Sequence, residues 1–495
     1  MTRCRILIAG SALAVLLTVM TGCSAAGSYQ SSKVYDRAMN GKITREAMAY
    51  EGPARNPVIV IHGFLGAKLA DNATGELVWG RFTGINSLDD SQIRSLSHPM
   101  AIGKRLRELP CTSHASGLLD RVKIRLLGVN FYLNAYDNLI DILTEYGYMP
   151  ETKPLPPGKH YSSLFVFYYD WRRDIPENAA RLHRFIRQKR TYMQREYKRC
   201  YGVSDYDVQF DVVAHSMGGL LIRYYLRYGN QDLPRDGSMP RLDWRGSRYI
   251  DKVALLGTPN AGYLDTFLEM TRGLELAPGA PVYPPGLVGT FPTYYQMMPL
   301  SSTRAVVYAD DPKGPPVDLF NPDVWIKNRW GLADPAQDKT LQILLPNVTS
   351  AAARRVVALD HLTKCLHRAR QFTRAMRIKS MPPEDVTLAL FLGDAVPTTR
   401  TAAVNRKDGT ITVTEYEAGD GKVLSSSARM DEREGRKWTP FENSPIKWHY
   451  VMCLRAAHMG LTNSNEFADN IQYYLLFFPT PKQERSLVYI MTEND

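Results

Sequence analysis

"VVAHSMGGLL", Val212–Leu221, decides how this chain is read. Val212, Val213 and Ala214 lead in as an apolar run, the chain turns at Ser216, and Leu220 and Leu221 resume the apolar pattern. A strand that turns directly into a helix needs small residues two places before and two places after the turning serine, because larger side chains there collide with neighbouring elements. Ala214 and Gly218 fill those places, and Ser216 is the only serine of the chain with a glycine two residues later. Such a turn holds its serine exposed at the carboxyl end of a strand, in strained backbone, which is how a nucleophile is presented. The plainer reading is an ordinary loop serine. The strand before it and the helix after it favour the nucleophile.

Working outward, four more short apolar runs read as buried strands: Asn56–Gly66, Ser162–Arg172, Asp251–Gly262 and Asp385–Asp394. With Val208–Ala214 they make five. They are continuously apolar rather than alternating, which suits a parallel sheet covered on both faces. Helical patterns lie between them, at Ala135–Tyr148, from Ile175 onward, and from Met217 to a stop at Gly229. Strand–helix alternation predicts an α/β domain with right-handed crossovers. With the serine elbow, this is an α/β-hydrolase fold with a mostly parallel central sheet. Two long stretches interrupt the alternation, about 67–131 and 263–383. Structureless loops of that length are improbable in a compact domain, so they read as inserted cap and lid regions. The second contains a Pro/Tyr/Met-rich run ending "TYYQMMP", read either as an acyl-chain pocket or as ordinary core.

A serine hydroxyl needs a base, and in this fold class the partners follow in the order serine, acid, histidine. After Ser216 the histidines are His361, His367, His449 and His458. The first two precede the last of the five strands. His449 sits in a strand-like run, whereas His458 sits in a loop beside Gly460, so His458 is the candidate base. His215 adjoins the serine and points elsewhere, with packing its expected role. Two acids remain open on the residues alone: Asp394, which ends the fifth strand, and Asp420, in a Gly-flanked turn after a hairpin-like "GTITVTEY". The candidate oxyanion donors are the backbone N–H of Met217, next to the serine, and that of Phe64 after the first strand. No metal or organic cofactor is needed for this chemistry.

The chain begins with Arg3 and Arg5, an apolar run Ile6–Val19 and then "VMTGC" to Cys23. This is the layout of an exported leader over 1–22. Small residues directly before Cys23 resemble a bacterial lipobox, which implies cleavage there and lipidation of Cys23; an ordinary signal peptide is the alternative. Ser24 after the cysteine implies the outer membrane by the same resemblance. Residues 23–50 then form a flexible tether, 51–480 the folded domain and 481–495 a tail. The net charge of +11 favours anionic lipid surfaces, and no nucleic-acid motif accompanies it. "RLHRFIRQKR", Arg181–Arg190, reads as a solvated helix face. Cys111, Cys200, Cys365 and Cys453 form either two disulfides or four free thiols.

Several segments together resemble the lecithin:cholesterol acyltransferase family. They are "PVIVIHGFLGAKL", "VFYYDWRRD", "VVAHSMGG", "LLGTPNAG", "GDGKVLSSSA" and "AAHMGLTNS", in the family's order over about residues 57–475. The resemblance implies Ser216 as nucleophile, Asp420 as acid, His458 as base, Phe64 and Met217 as oxyanion donors, and Asp170, Trp171 and Arg172 as a structural core motif. Asp394 becomes a secondary candidate. His62-Gly63 stands where many relatives have Pro-Gly. The implied activity is cleavage of a phospholipid or acylglycerol ester through an acyl-enzyme, with the acyl group passed to a lipid alcohol or to water. A general carboxylesterase or thioesterase, and an inactive surface lipoprotein serving as a binding scaffold, are the competing readings.

Overall fold

The computed structural model describes residues 41–80, 88–119, 121–126, 129–134, 136–276 and 280–480, with the backbone alone for 121–134. The leader, Cys23 and residues 481–495 lie outside the described residues.

Six strands pair in parallel into one sheet: β1 (Val58–Ile61), β2 (Leu164–Phe167), β3 (Phe210–His215), β4 (Ile250–Leu256), β5 (Thr387–Gly393) and β6 (Tyr450–Leu454). Their spatial order is β6-β5-β4-β3-β1-β2. The central four are buried along their whole length, as continuously apolar runs demand. The edge strand β6 alternates between half-exposed and exposed residues until Leu454. Its run Tyr450–Leu454 is apolar but short, and it is not among the five strands read from the sequence.

Helices cover both faces, and the period-2 pleat sorts the side chains between two cores. Ile59, Ile61, Val212 and Leu255 face α2 (Ile175–Tyr201) and α3 (Met217–Tyr228). Val58, Val60, Val213 and Leu256 face α1 (Asp137–Glu145) and the C-terminal helix (Asn465–Leu476). A parallel sheet sandwiched by crossover helices, with a serine elbow between β3 and α3, is an α/β-hydrolase fold. The chain runs from β1 outward to β2, then crosses back to β3 on the other side of β1. Ligand crevices form where the direction of winding reverses in this way, outside the carboxyl ends of the strands.

The two insertions carry their own structure. The first contains a three-stranded antiparallel sheet (Ala67–Asp71, Leu77–Trp79, Ser113–Leu118) and a hairpin (Arg121–Leu126, Val129–Asn134). The second is mainly helical and ends in the long helix Ala351–Arg377. Arg223 and Arg227 of α3 donate to the carbonyls of Met376 and Ile378 at the C-terminus of that helix, where its dipole favours cations. Burial and the neighbouring Arg227 bring the Arg223 guanidinium down to about 9. The Pro/Tyr/Met-rich run is core: Phe291, Tyr294, Tyr295, Met297 and Met298 are all buried. All four cysteines of the described residues are free, so the two-disulfide alternative falls. The basic run lies on α2, with Leu182 and Ile186 turned inward and Arg184 and Arg187 outward.

Candidate active site

Ser216 has φ 54° and ψ −123°, a region that side-chain-bearing residues adopt at a cost of order 1–3 kcal/mol. The surroundings enforce it. The Ser216 N–H donates to the Leu256 carbonyl at 2.7 Å. A Cβ on Gly218 would stand 2.5 Å from the His62 carbonyl oxygen and 2.7 Å from that of Ile61. One on Gly63 would stand 2.7 Å from the Ser216 Cβ. The first of these contacts explains the small residue two places after the serine; the second adds a requirement on the loop after β1 that only the folded chain reveals.

Three residues far apart in the chain meet at the carboxyl ends of the strands. The Ser216 Oγ lies 2.9 Å from Nε2 of His458, and His458 Nδ1 lies 2.7 Å from Oδ2 of Asp420. His458 follows β6 and opens the 3-10 turn His458–Asn463. Asp420 is delivered by a long antiparallel hairpin, Val396–Val404 with Ile411–Gly419. Its Oδ1 accepts the N–H groups of Lys422 (2.9 Å) and Val423 (2.7 Å), and its carbonyl accepts the His458 N–H at 2.8 Å. Burial alone would raise the Asp420 pKa. The adjacent imidazole and the two backbone donors outweigh it and hold the carboxyl below its ordinary value. An ionised Asp420 only accepts, so Nδ1 of His458 carries the ring proton and Nε2 is left to accept from the serine.

The Phe64 and Met217 N–H groups donate to no acceptor among the described residues. The Phe64 ring is edge-on to Trp171 (4.9 Å) and Tyr294 (4.6 Å). Trp171 is wholly buried and its Nε1 donates to the Ala67 carbonyl. Beside it the Arg172 guanidinium pairs with Asp170 through two bonds, 2.9 and 2.8 Å, and spends its other donors on the Ser95, Leu96 and Ser113 carbonyls. A buried ion pair is tolerated only when its hydrogen-bonding capacity is met in this way. The Asp170-Trp171-Arg172 block thus ties the loop after β2 to the first insertion.

Behind the acid turn, Lys422 Nζ donates to Asp265 and Glu269, each at 3.0 Å, and the Tyr294 hydroxyl donates to Glu269 at 2.9 Å. Burial pushes the Glu269 carboxyl up against the opposing pull of Lys422. Nothing in the sequence marks Asp265 and Glu269 as neighbours of the acid turn. The other candidates lie elsewhere. Asp394 sits beside the Cys453 thiol at the sheet edge, with no hydrogen bond to His458 among the described residues. His449 pairs with Leu388 at the opposite end of β5. His215 is buried, its ring 4.8 Å from that of His458. No cluster of metal-ligating side chains is found among the described residues.

Residues 116–323 match the family model of lecithin:cholesterol acyltransferase. The match takes in the Asp170-Trp171-Arg172 block, the Ser216 elbow and the Thr258-Pro259-Asn260 turn; Phe64 precedes it, and Asp420 and His458 follow it. Among solved structures, the chain is similar to one in the Tle4–Tli4 complex, with 13% identity over 86% of this chain and 98% of that one, at a TM-score of 0.55. It also aligns with EstA from Clostridium botulinum, at 12% identity over 87% and 89% of the two chains and a TM-score of 0.33. At 13% identity the likeness to the chain of the Tle4–Tli4 complex is one of fold. No curated protein matches the sequence.

Proposed function

We propose that this chain is a serine-dependent lipid-ester hydrolase and acyltransferase of the lecithin:cholesterol acyltransferase type. The observation that carries the reading is the hydrogen-bonded series Ser216–His458–Asp420, at 2.9 and 2.7 Å. The match of residues 116–323 supports the lipid-ester class. Ser216 Oγ attacks the ester carbonyl while its proton passes to His458 Nε2. The oxyanion that forms is held by the N–H groups of Phe64 and Met217, donors of a kind each worth about 10²–10³ in rate. Asp420 holds the imidazole in the required tautomer and stabilises it once charged. His458 then gives the proton to the departing alcohol, and the acyl group stays on Ser216. Water or a lipid alcohol, deprotonated by His458, attacks the acyl-enzyme and restores Ser216.

Lipidation of Cys23 would hold the enzyme against a membrane surface as an exported lipoprotein, with its substrate in reach. Incubation with a phospholipid bearing a labelled acyl chain, with and without a sterol or diacylglycerol, tests the reading. The label should leave the phospholipid, appear as free acid or as a new ester, and stay in place with Ser216→Ala. Turnover of soluble short-chain esters or thioesters alone would put the chain among general esterases. No turnover of any ester would favour the binding scaffold.

A further inference from the structure

A second hydrogen-bonded series runs behind the first, and it joins the two loops that the reaction needs held in register. The Gly63 N–H donates to the Tyr136 hydroxyl oxygen at 2.6 Å. That hydroxyl lies 2.9 Å from His215 Nδ1, and His215 Nε2 lies 3.2 Å from the carbonyl oxygen of His458. The protons along this path can be assigned. A carbonyl only accepts, so His215 Nε2 must carry a hydrogen and donate. A neutral imidazole has one ring hydrogen, so Nδ1 accepts, and the Tyr136 O–H donates to it while its oxygen takes the Gly63 N–H. Burial, helped by the neighbouring His458, lowers the His215 pKa to about 3, and burial raises that of Tyr136. Both shifts favour the neutral forms. Every hydrogen bond in the series points one way: Gly63 to Tyr136 to His215 to His458.

The two ends of this path matter. Gly63 immediately precedes Phe64, and its carbonyl also accepts from Gly66 N–H at 3.2 Å and lies 2.7 Å from His62 Nδ1. The Gly63 peptide is thereby fixed at both its N–H and its C=O. At the other end, the His458 backbone is held by its N–H on the Asp420 carbonyl and by its C=O under His215. Resting on the function proposed above, we propose that Tyr136 and His215 are positioning residues, which set the Phe64 N–H and the His458 imidazole at a fixed spacing through one shared hydroxyl. Neither touches the reacting atoms. Their effect is on how well the site fits the tetrahedral state, because a donor displaced by about an ångström costs on the order of 10²-fold in rate.

The test uses the full chain, a short-chain p-nitrophenyl ester, and a trifluoromethyl ketone that adds to the serine as a tetrahedral analogue. Tyr136→Phe keeps the ring and removes the hydroxyl. It should lower kcat about 10–100-fold, raise the analogue's inhibition constant by a similar factor and leave KM within about twofold, the signature of an interaction felt in the transition state. His215→Gln retains an N–H donor for the His458 carbonyl and should recover more activity than His215→Leu. If Tyr136→Phe folds and keeps wild-type kcat and analogue binding, the proposal fails. It also fails if KM and kcat/KM change together with no loss of kcat. Should Tyr136→Phe not fold, the His215 pair decides: equal activities of Gln and Leu overturn the proposal. Failure here is separable from failure of the catalytic reading, which would appear as ester turnover surviving Ser216→Ala in an otherwise normal wild-type background.

Discussion

The two ends of the parallel sheet bury carboxylates in opposite ways. At the carboxyl ends of the strands, Asp420 accepts from an imidazole and two backbone N–H groups, and its pKa is lowered despite burial. At the amino ends, Asp211 and Asp251 share the one side-chain amide of Asn56, at 3.0 and 2.8 Å. There burial, with Asp251 adding to it and Lys252 opposing it, pushes Asp211 up to about 7. The same residue type at two rims of one sheet is thus shifted in opposite directions. What separates them is the balance of donors against neighbouring charge: an imidazole and two backbone N–H groups serve Asp420, whereas Asp211, which accepts from Asn56 and from the Lys252 N–H at 3.2 Å, also faces the carboxylate of Asp251. The first arrangement keeps a charge beside the His458 imidazole. The second favours the protonated form, and through Asn56 it ties β3 to β4.

The largest effects should lie at the first rim. Ser216→Ala or His458→Ala should lower ester turnover by about 10⁴-fold or more, with the two losses far from additive, as measured in the double variant. Asp420→Asn should cost about 10³–10⁴-fold, because an amide can hold the imidazole in the wrong tautomer. Asp394→Asn should stay within about threefold of wild type. Equal losses at the two positions would erase the distinction drawn between them. A fold-level effect comes next. Gly218→Val forces a side chain onto the His62 carbonyl and should destabilise by roughly 1–3 kcal/mol or more in denaturant melts.

The smallest effect sharpens the contrast from the other rim. The Asp211 pKa of about 7 lies above its unfolded value of about 3.9, so the folded chain holds a proton that the unfolded chain has released. Its contribution to stability is full below pH about 4 and is lost as pH rises through about 7. Asp420 has the opposite sign: its contribution is present above the unfolded value and is lost as pH falls through the lowered one. Asp211→Asn should therefore flatten the fall in melting temperature between pH 5 and pH 8. An unchanged slope would remove Asp211 as its source.

Much of the sheet was legible because central strands are buried on both faces and carry runs such as Val58–Ile61, Val212–Ala214, Val253–Leu256 and Leu388–Leu392. The edge strand β6, Tyr450–Leu454, showed only as a strand-like run beside His449, and its place at the edge of the sheet rests on long-range pairing with β5. Ser216 was legible because an elbow imposes small neighbours at fixed offsets. The residues alone left Asp394 and Asp420 open. The hairpin that carries Asp420 back to the rim depends on long-range pairing, Val396 with Gly419 among others, which no local pattern announces. Tyr136 is silent for the same reason: it meets Gly63 and His215 across 73 and 79 residues of chain. The four cysteines show the limit from the other side, since spacing in the chain did not reveal that they stay unpaired.

Treatment of the full chain with a fluorophosphonate, followed by peptide mass spectrometry, tests the central claim most directly. A serine activated by His458 and Asp420 should yield a single adduct on the peptide containing Ser216, and the adduct should disappear in His458→Ala even though the serine remains. Labelling elsewhere, or labelling of Ser216 that is indifferent to His458, would contradict the account.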